Sequence, residues 1–283
     1  MRTIFKHKRQ NIMKYEILTL KNKMKTLFIH HEDSKTAHIQ TWFRAGSALE
    51  NKKEELGVAH FLEHMFFKGS KKYPGSKIAE EIESCGGEIN AFTSFEYTCY
   101  YMNIPQQNLL KSTKIMMEMV CSPLFDTKEL IPERDVVLEE FKRSQDSSNQ
   151  YGFTRMQKSF FPKSHRHQIL GTAKSIQNFD RKLITDFRKR NYNTSNLMLV
   201  IAGDLKHKNK IIKEIEKYKM PHGTENKFPP FKLNNKNIEV HKKDVSNITL
   251  TILLDGPKYD VKNSVGEDLA LSVLGMGESS RLY

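Results

Sequence analysis

The stretch GVAHFLEHMFFKGS, residues 57–70, determines how the rest of the chain is interpreted. Its apolar residues recur at helical spacing and predict an α-helix over residues 57–67. His60, Glu63 and His64 stand at positions i, i+3 and i+4, so they share one face of this helix. Two imidazoles one turn apart can bind one zinc ion, while the neighbouring carboxylate reaches a water on the metal. The motif alone is only suggestive, and a catalytic site needs a third ligand.

Alternating polar and apolar residues predict strands around this helix, and longer periodic segments predict further helices. The predicted strands cover residues 15–20, 25–31, 37–43, 88–93, 97–104 and 196–202. The other predicted helices cover 76–86, 108–121, 126–146, 151–161, 181–191 and a charged segment that ends at Tyr218. Strands and helices therefore fill the first 218 residues.

A candidate third ligand lies in ERDVVLEEFKRSQD, residues 133–146. Glu133 and Glu140 are seven residues apart and occupy the same helix face after two turns, whereas Glu139 points elsewhere. A carboxylate from this helix completes a site of two histidines and one glutamate, with the fourth position open for water. The alternative is a solvated acidic face whose glutamates pair with the nearby residues Arg134, Lys142 or Arg143.

Length and composition place the chain among globular proteins. With 283 residues, 38% of them hydrophobic, it can form one large or two modest cores. Its apolar runs are strand-sized, and the basic N-terminus does not resemble a secretory signal. The cysteines lack metal-ligand spacing, which predicts inert thiols in a reducing compartment; they are Cys85, Cys99 and Cys121. We expect a cytoplasmic location, with the mitochondrion and the periplasm as alternatives.

The net charge of +13 could attract nucleic acid or another acidic partner. Eleven lysines lie between Lys206 and Lys243, spread over a helix face and a polar segment with no interleaved aromatic platform. A solvated surface is the favoured interpretation, so no nucleic-acid partner is expected. A nucleic-acid-binding module would have to lose binding steeply between low and moderate salt.

The second part of the chain contains a weak internal duplication. ITLTILLDGP (248–257) resembles HIQTWFRAGS (38–47) as an alternating strand that ends in a glycine turn, and a helix follows each. We predict a basic extension over 1–13, a metal-bearing domain over 14–218, a linker over 219–236 and an incomplete second domain over 237–283. The chain ends a dozen or so residues into the second helix, which predicts truncation.

Several motifs together resemble the inverzincin peptidases of the pitrilysin and mitochondrial-processing-peptidase type. They stand in the family's order and at its spacing, and the resemblance extends from Lys14 to Tyr283. The motifs are WFRAGSALE (42–50), GVAHFLEHMFFKGS (57–70), GGEINAFTSFEYTCYY (86–101), ERDVVLEE (133–140) and LGMGESSRLY (274–283).

The resemblance assigns roles to single residues. It makes Glu140 the third ligand of one zinc ion per chain, Glu63 the general base and Glu133 an acidic residue that orients the site. In the family an edge strand pairs with the backbone of the substrate. That strand corresponds here to Asn90, Ala91 and Thr93. For these three residues, an ordinary edge strand is the alternative.

The resemblance also implies a fold and an activity. The fold is an α+β half of a clamshell, with a mixed, mainly antiparallel sheet packed against helices, followed by the start of a second homologous domain. The activity is zinc-dependent endopeptidase action on extended peptides or small unfolded proteins. The alternative is an impaired fragment or a structural subunit of a heteromeric processing peptidase. Besides the peptide substrate, a second copy or a homologous subunit without zinc is the expected partner.

Overall fold

The computed structural model describes residues 14–234 and 261–282, together with Ile238, Val240 and Leu253. The chain divides into two compact units, Met1–Lys242 and Lys243–Tyr283. The predicted extension over 1–13, the last two residues of the predicted linker and nearly all of the predicted strand at 248–257 lie outside the described residues.

The first unit is built on one six-stranded sheet with the order β1-β2-β6-β3-β5-β4. The β2 and β6 strands pair in parallel, and the other neighbours pair antiparallel. The sheet is therefore mixed and mainly antiparallel, and the α+β prediction is confirmed. The strands are β1 (Lys14–Thr19), β2 (Lys25–His30), β3 (Thr36–Phe43), β4 (Glu88–Thr93), β5 (Thr98–Pro105) and β6 (Leu197–Gly203).

Helices cover one face of this sheet. Those of the first unit are α1 (Val58–Phe66), α2 (Lys77–Glu83), α3 (Leu109–Cys121), α4 (Thr127–Asp146), α5 (Ser148–Phe160), α6 (Ala173–Gln177), α7 (Arg181–Asn191) and α8 (Lys208–Ile215), and α9 (Val261–Gly275) lies in the second unit. None of the helices in the described ranges is both long and apolar enough to cross a membrane.

The main core lies between the sheet and these helices. Alternate residues of β3 and β6 are buried, as the period of two in a strand requires when one face is covered. The α1 helix enters this core, and seven of its nine residues are buried. Its two histidines are only partly buried, so they mark the side of α1 that leaves the core.

Four helices differ from their sequence predictions. The α2 helix ends at Glu83 and not at residue 86, and a turn to Gly86, whose φ is +76°, follows it. The α5 helix begins at Ser148 and not at residue 151, because the Ser147 side chain accepts a hydrogen bond from the N–H of Gln150 and caps the earlier start. The α6 helix was not predicted, since five residues are too few to show a helical period. The α8 helix ends at Ile215, three residues before Tyr218, where the Asn22 side chain donates to the carbonyls of Ile215 and Tyr218.

Candidate metal centre

The α1 helix brings His60 and His64 together one turn apart, with ring centroids separated by 4.6 Å. The helix begins after Gly57, whose φ of +90° is left-handed. A Cβ at Gly57 would lie 2.4 Å from the carbonyl oxygen of Leu170, so only glycine fits there. The chain therefore enters the helix that carries the two histidines through a turn that has no room for a side chain at position 57.

Glu140 completes the group from the second half of α4. Its Oε2 lies 3.7 Å from Nε2 of His60 and 3.7 Å from Nε2 of His64. The three candidate ligand atoms lie within 4.8 Å of one another, and no other three histidine, cysteine or acidic side chains converge in this way within the described ranges. Tetrahedral zinc with ligands at about 2.0–2.2 Å separates neighbouring ligand atoms by roughly 3.4 Å. The donor set therefore fits zinc.

Glu133 lies beside His64 and contacts its other ring nitrogen. Oε1 of Glu133 is 2.7 Å from Nδ1 of His64, and Lys68 forms an ion pair with the second oxygen of Glu133. When Nδ1 carries the proton and donates it in a hydrogen bond to Glu133, Nε2 is unprotonated. Its lone pair is then available to a metal ion on the side of Glu140. The Nδ1 of His60 has no such partner among the described residues, so Glu133 serves only one of the two histidines.

The two histidines have opposite electrostatic surroundings. Burial, assisted by the nearby His64, lowers the pKa of His60 to about 3, so this imidazole is neutral at pH 7. Burial also acts to lower the pKa of His64, but the hydrogen bond to Glu133 and the surrounding carboxylates outweigh it and raise the pKa. For Glu133, the effect of burial is outweighed by His64 and Lys68, and its pKa is lowered. Glu133 is therefore an ionised acceptor.

Glu63 is buried beside this group, and its carboxylate accepts a hydrogen bond from the hydroxyl of Thr93. Burial raises the pKa of Glu63, while the hydrogen bond from Thr93 opposes that rise. A carboxylate with a raised pKa holds a proton more firmly than an exposed one. Glu63 is thus suited to take up a proton and later release it.

The β4 strand lies at the edge of the sheet and carries Asn90, Ala91 and Thr93. In the register with β5, Asn90 is opposite Tyr101 and Thr93 is opposite Thr98. The Asn90 side chain accepts a hydrogen bond from the N–H of Ala91 at 2.8 Å, so a strand pairing there would have to displace it. Thr93 differs from the other two because its side chain contacts Glu63.

Sequence reasoning missed two residues of the site. Lys68 stands four positions after His64, and that spacing could have revealed an ion pair near the metal group. Glu50 accepts hydrogen bonds from the backbone N–H groups of Gly57 and Ala59, at the start of α1. Glu50 ends the motif WFRAGSALE, but no spacing in the sequence shows that it contacts α1, because a loop separates it from that helix. Of the cysteines, all three are free, and burial raises the pKa of Cys99 and of Cys121 to about 12.

Comparisons with known proteins show which family this chain is similar to. The sequence model of insulinase (peptidase family M16) matches residues 25–173, and that of the peptidase M16 inactive domain matches residues 178–283. An uncharacterized zinc protease of Rickettsia bellii is 33% identical over 95% of this chain and 66% of its own length. The β subunit of the mitochondrial-processing peptidase of Dictyostelium discoideum is 34% identical over 64% of this chain and 39% of its own.

A solved structure agrees with the fold. The first half of the periplasmic protease PqqL from Escherichia coli matches with a TM-score of 0.69 and 27% identity. The match covers 77% of this chain and 49% of that one. This chain therefore spans about two thirds of the length of the Rickettsia relative and about half or less of the other two proteins.

Proposed function

The chain belongs to the insulinase family of peptidases, family M16, and we propose that it is the zinc-bearing part of an endopeptidase. Its substrates are extended peptides or small unfolded proteins. The observation that carries the proposal is the convergence of His60, His64 and Glu140 within 4.8 Å, beside the buried carboxylate of Glu63. This donor set offers three ligands and leaves a fourth position open, as catalytic zinc requires.

In this proposal His60, His64 and Glu140 hold one zinc ion, and Glu133 fixes the tautomer of His64. Zinc bound there supplies Lewis-acid chemistry, lowering the pKa of a water and polarising the carbonyl of the scissile bond. Glu63 takes the proton of the attacking water and delivers it to the leaving amine, so one carboxylate acts as base and then as acid.

The β4 edge places the substrate in the same proposal. The residues Asn90, Ala91 and Thr93 offer backbone groups to an extended peptide, which adds to the sheet as a further strand. Recognition through the main chain demands little of the side chains of the substrate. The contact between Thr93 and Glu63 supports this arrangement, because it joins the proposed substrate strand to the proposed base.

A scaffold or partner role is the second candidate. A cytochrome b-c1 complex subunit 1 of Bos taurus is 26% identical over 85% of this chain, and mitochondrial-processing peptidase β subunits are similar as well. We propose that this chain likewise assembles, with a second copy or with a homologous subunit that lacks zinc. The retained donor set favours the enzyme over the scaffold, since a scaffold needs none of these three ligands.

Hydrolysis of a quenched fluorescent peptide by the full-length gene product tests the proposal. We expect activity that a strong chelator removes and that stoichiometric zinc restores. A preparation that binds zinc and assembles but never cleaves peptides, even at high enzyme concentration, would favour the scaffold role instead.

A further inference from the structure

We propose that Glu50 is a positioning residue of the metal centre. Its carboxylate fixes the first turn of α1 and thereby determines where His60 and His64 meet Glu140. The inference rests on the proposed function, because it concerns the same metal site. Glu50 touches none of the proposed ligands and acts through the backbone of the helix that carries two of them.

The contact is bidentate and directional. Oε2 of Glu50 accepts a hydrogen bond from the N–H of Gly57 at 2.8 Å, and Oε1 accepts one from the N–H of Ala59 at 3.0 Å. The first N–H groups of a helix have no partner within the helix, and Gly57 has no side chain to cap them. A carboxylate at this end is also favoured by the helix dipole. Ala59 directly precedes the ligand His60.

The loop that carries Glu50 is itself tied to two other helices. Arg190 of α7 donates two hydrogen bonds of 3.1 Å to the carboxylate of Glu55. The N–H of Asn51 donates to the same carboxylate at 3.1 Å. The hydroxyl of Ser175 in α6 donates to the carbonyl of Leu56 at 2.6 Å. These contacts anchor the loop, so Glu50 can hold α1 against a fixed support.

The rest of α1 is held mainly by apolar contacts. Its buried residues pack into the core, and such packing is non-directional compared with a hydrogen bond. A metal site requires its ligands within roughly half an ångström of the productive geometry. The two hydrogen bonds of Glu50 fix both the axial position and the rotation of the first turn, which apolar packing alone specifies less well.

Glu50 is also partly buried, and the withdrawal of a carboxyl group from water is costly. Burial raises the pKa of its carboxyl, while the hydrogen bonds from the N–H groups of Ala59 and Gly57 lower it and favour the ionised form that accepts both. Residues that break a local rule of folding concentrate at functional sites. A partly buried acid at the start of the helix that carries the two histidines is such a residue.

The test compares Glu50→Gln and Glu50→Ala with Asp180→Ala in the full chain. Asp180 caps the first turn of α7, at the opposite end of that helix from Arg190, and its carboxylate accepts a hydrogen bond from the N–H of Leu183 at 2.7 Å. The α7 helix carries no proposed ligand. We measure zinc affinity against a competing chelator and, in metal-free protein, the hydrogen exchange of the α1 amides. Both Glu50 variants should weaken zinc binding about tenfold or more and speed exchange in α1, whereas Asp180→Ala should change neither.

The outcomes separate the two proposals. Unchanged zinc affinity in Glu50→Gln and Glu50→Ala would overturn the positioning role and leave the proposed function intact. If the parent protein binds no zinc, the proposed function fails. The exchange measurement then still decides whether Glu50 fixes α1, because unchanged exchange in the metal-free variants would refute it.

Discussion

The α1 and α9 helices follow the two similar segments HIQTWFRAGS and ITLTILLDGP, and α9 lacks the three polar side chains that form the motif in α1. At an offset of 210 residues, the three polar residues of the HFLEH motif in α1 correspond to Ala270, Val273 and Leu274 in α9. Seven of the nine residues of α1 are buried. In α9, the apolar side chains of Val265, Leu269 and Val273 are exposed by 59–65%.

This comparison separates the residues that specify a helix from the residues that form the candidate metal centre. Apolar residues at helical spacing are enough to specify a helix in both segments. The metal centre depends on three polar residues of α1 and on a carboxylate that α4 supplies from elsewhere in the chain. Because α9 lacks these residues, we expect metal chemistry at α1 and none at α9.

Removal of either histidine from α1 should give the largest effect. His60→Ala or His64→Ala should abolish stoichiometric zinc, because two remaining ligands do not form a closed set. Metal analysis of the purified variants measures the loss. The matched variant Leu274→Ala in α9 should keep the zinc content of the parent. Full zinc in either histidine variant would refute the ligand assignment.

Replacement of the proposed base should separate metal content from rate. In the full-length enzyme, Glu63→Gln should retain zinc and lower turnover about a thousandfold or more, since it removes the base without touching a ligand. The corresponding variant in α9, Val273→Ala, should retain both. If Glu63→Gln loses zinc together with activity, Glu63 has to be reassigned as a ligand.

Three variants of α4 should rank its glutamates by their effect on zinc binding. Glu140→Gln should cost most of the zinc affinity, because it removes a ligand oxygen. Glu133→Gln acts through His64 and should weaken affinity or activity by about ten- to a hundredfold. Glu139→Gln should leave the zinc affinity nearly unchanged, because Glu139 is exposed and paired with Lys142. Chelator competition gives the ranking, and a dominant effect of Glu139→Gln would mean that the proposed ligand assignment on α4 is wrong.

The smallest effect concerns stability and pH in the metal-free protein. The pKa of His60 is about 3 when folded and near 6.5 when unfolded. Between these values the unfolded chain binds more protons, so stability falls as the pH drops from about 6.5 to about 3. His60→Asn should reduce this slope by up to about 1.4 kcal/mol per pH unit. Urea unfolding at several pH values measures the slopes, and equal slopes would contradict the burial of a neutral His60.

Most of the fold could be predicted because its long elements show clear periods. The strand Glu88–Thr93 and the ends of α3 and α4 agree with the sequence prediction within one residue. The short α6 helix could not be predicted, since its start depends on a capping box between Thr172 and Ser175 and not on apolar spacing. Local periodicity thus identifies only those elements that are long enough to show their period more than once.

The candidate site likewise has one part that could be predicted from the sequence and one part that could not. The convergence of His60 and His64 follows from the spacing in one helix, whereas Glu140 was assigned from its helix face together with the family resemblance. The contacts of Glu50 with α1 and of Thr93 with Glu63 depend on how distant segments pack. No local pattern contains that information, and only the folded structure shows it.

X-ray absorption at the zinc edge of the purified chain, with the zinc content measured on the same sample, tests the central claim most directly. We predict one zinc per chain, bound by two imidazole nitrogens and oxygen ligands that include the carboxylate of Glu140, with no sulfur. Absence of zinc, or sulfur ligation by a cysteine, would contradict the site formed by His60, His64 and Glu140.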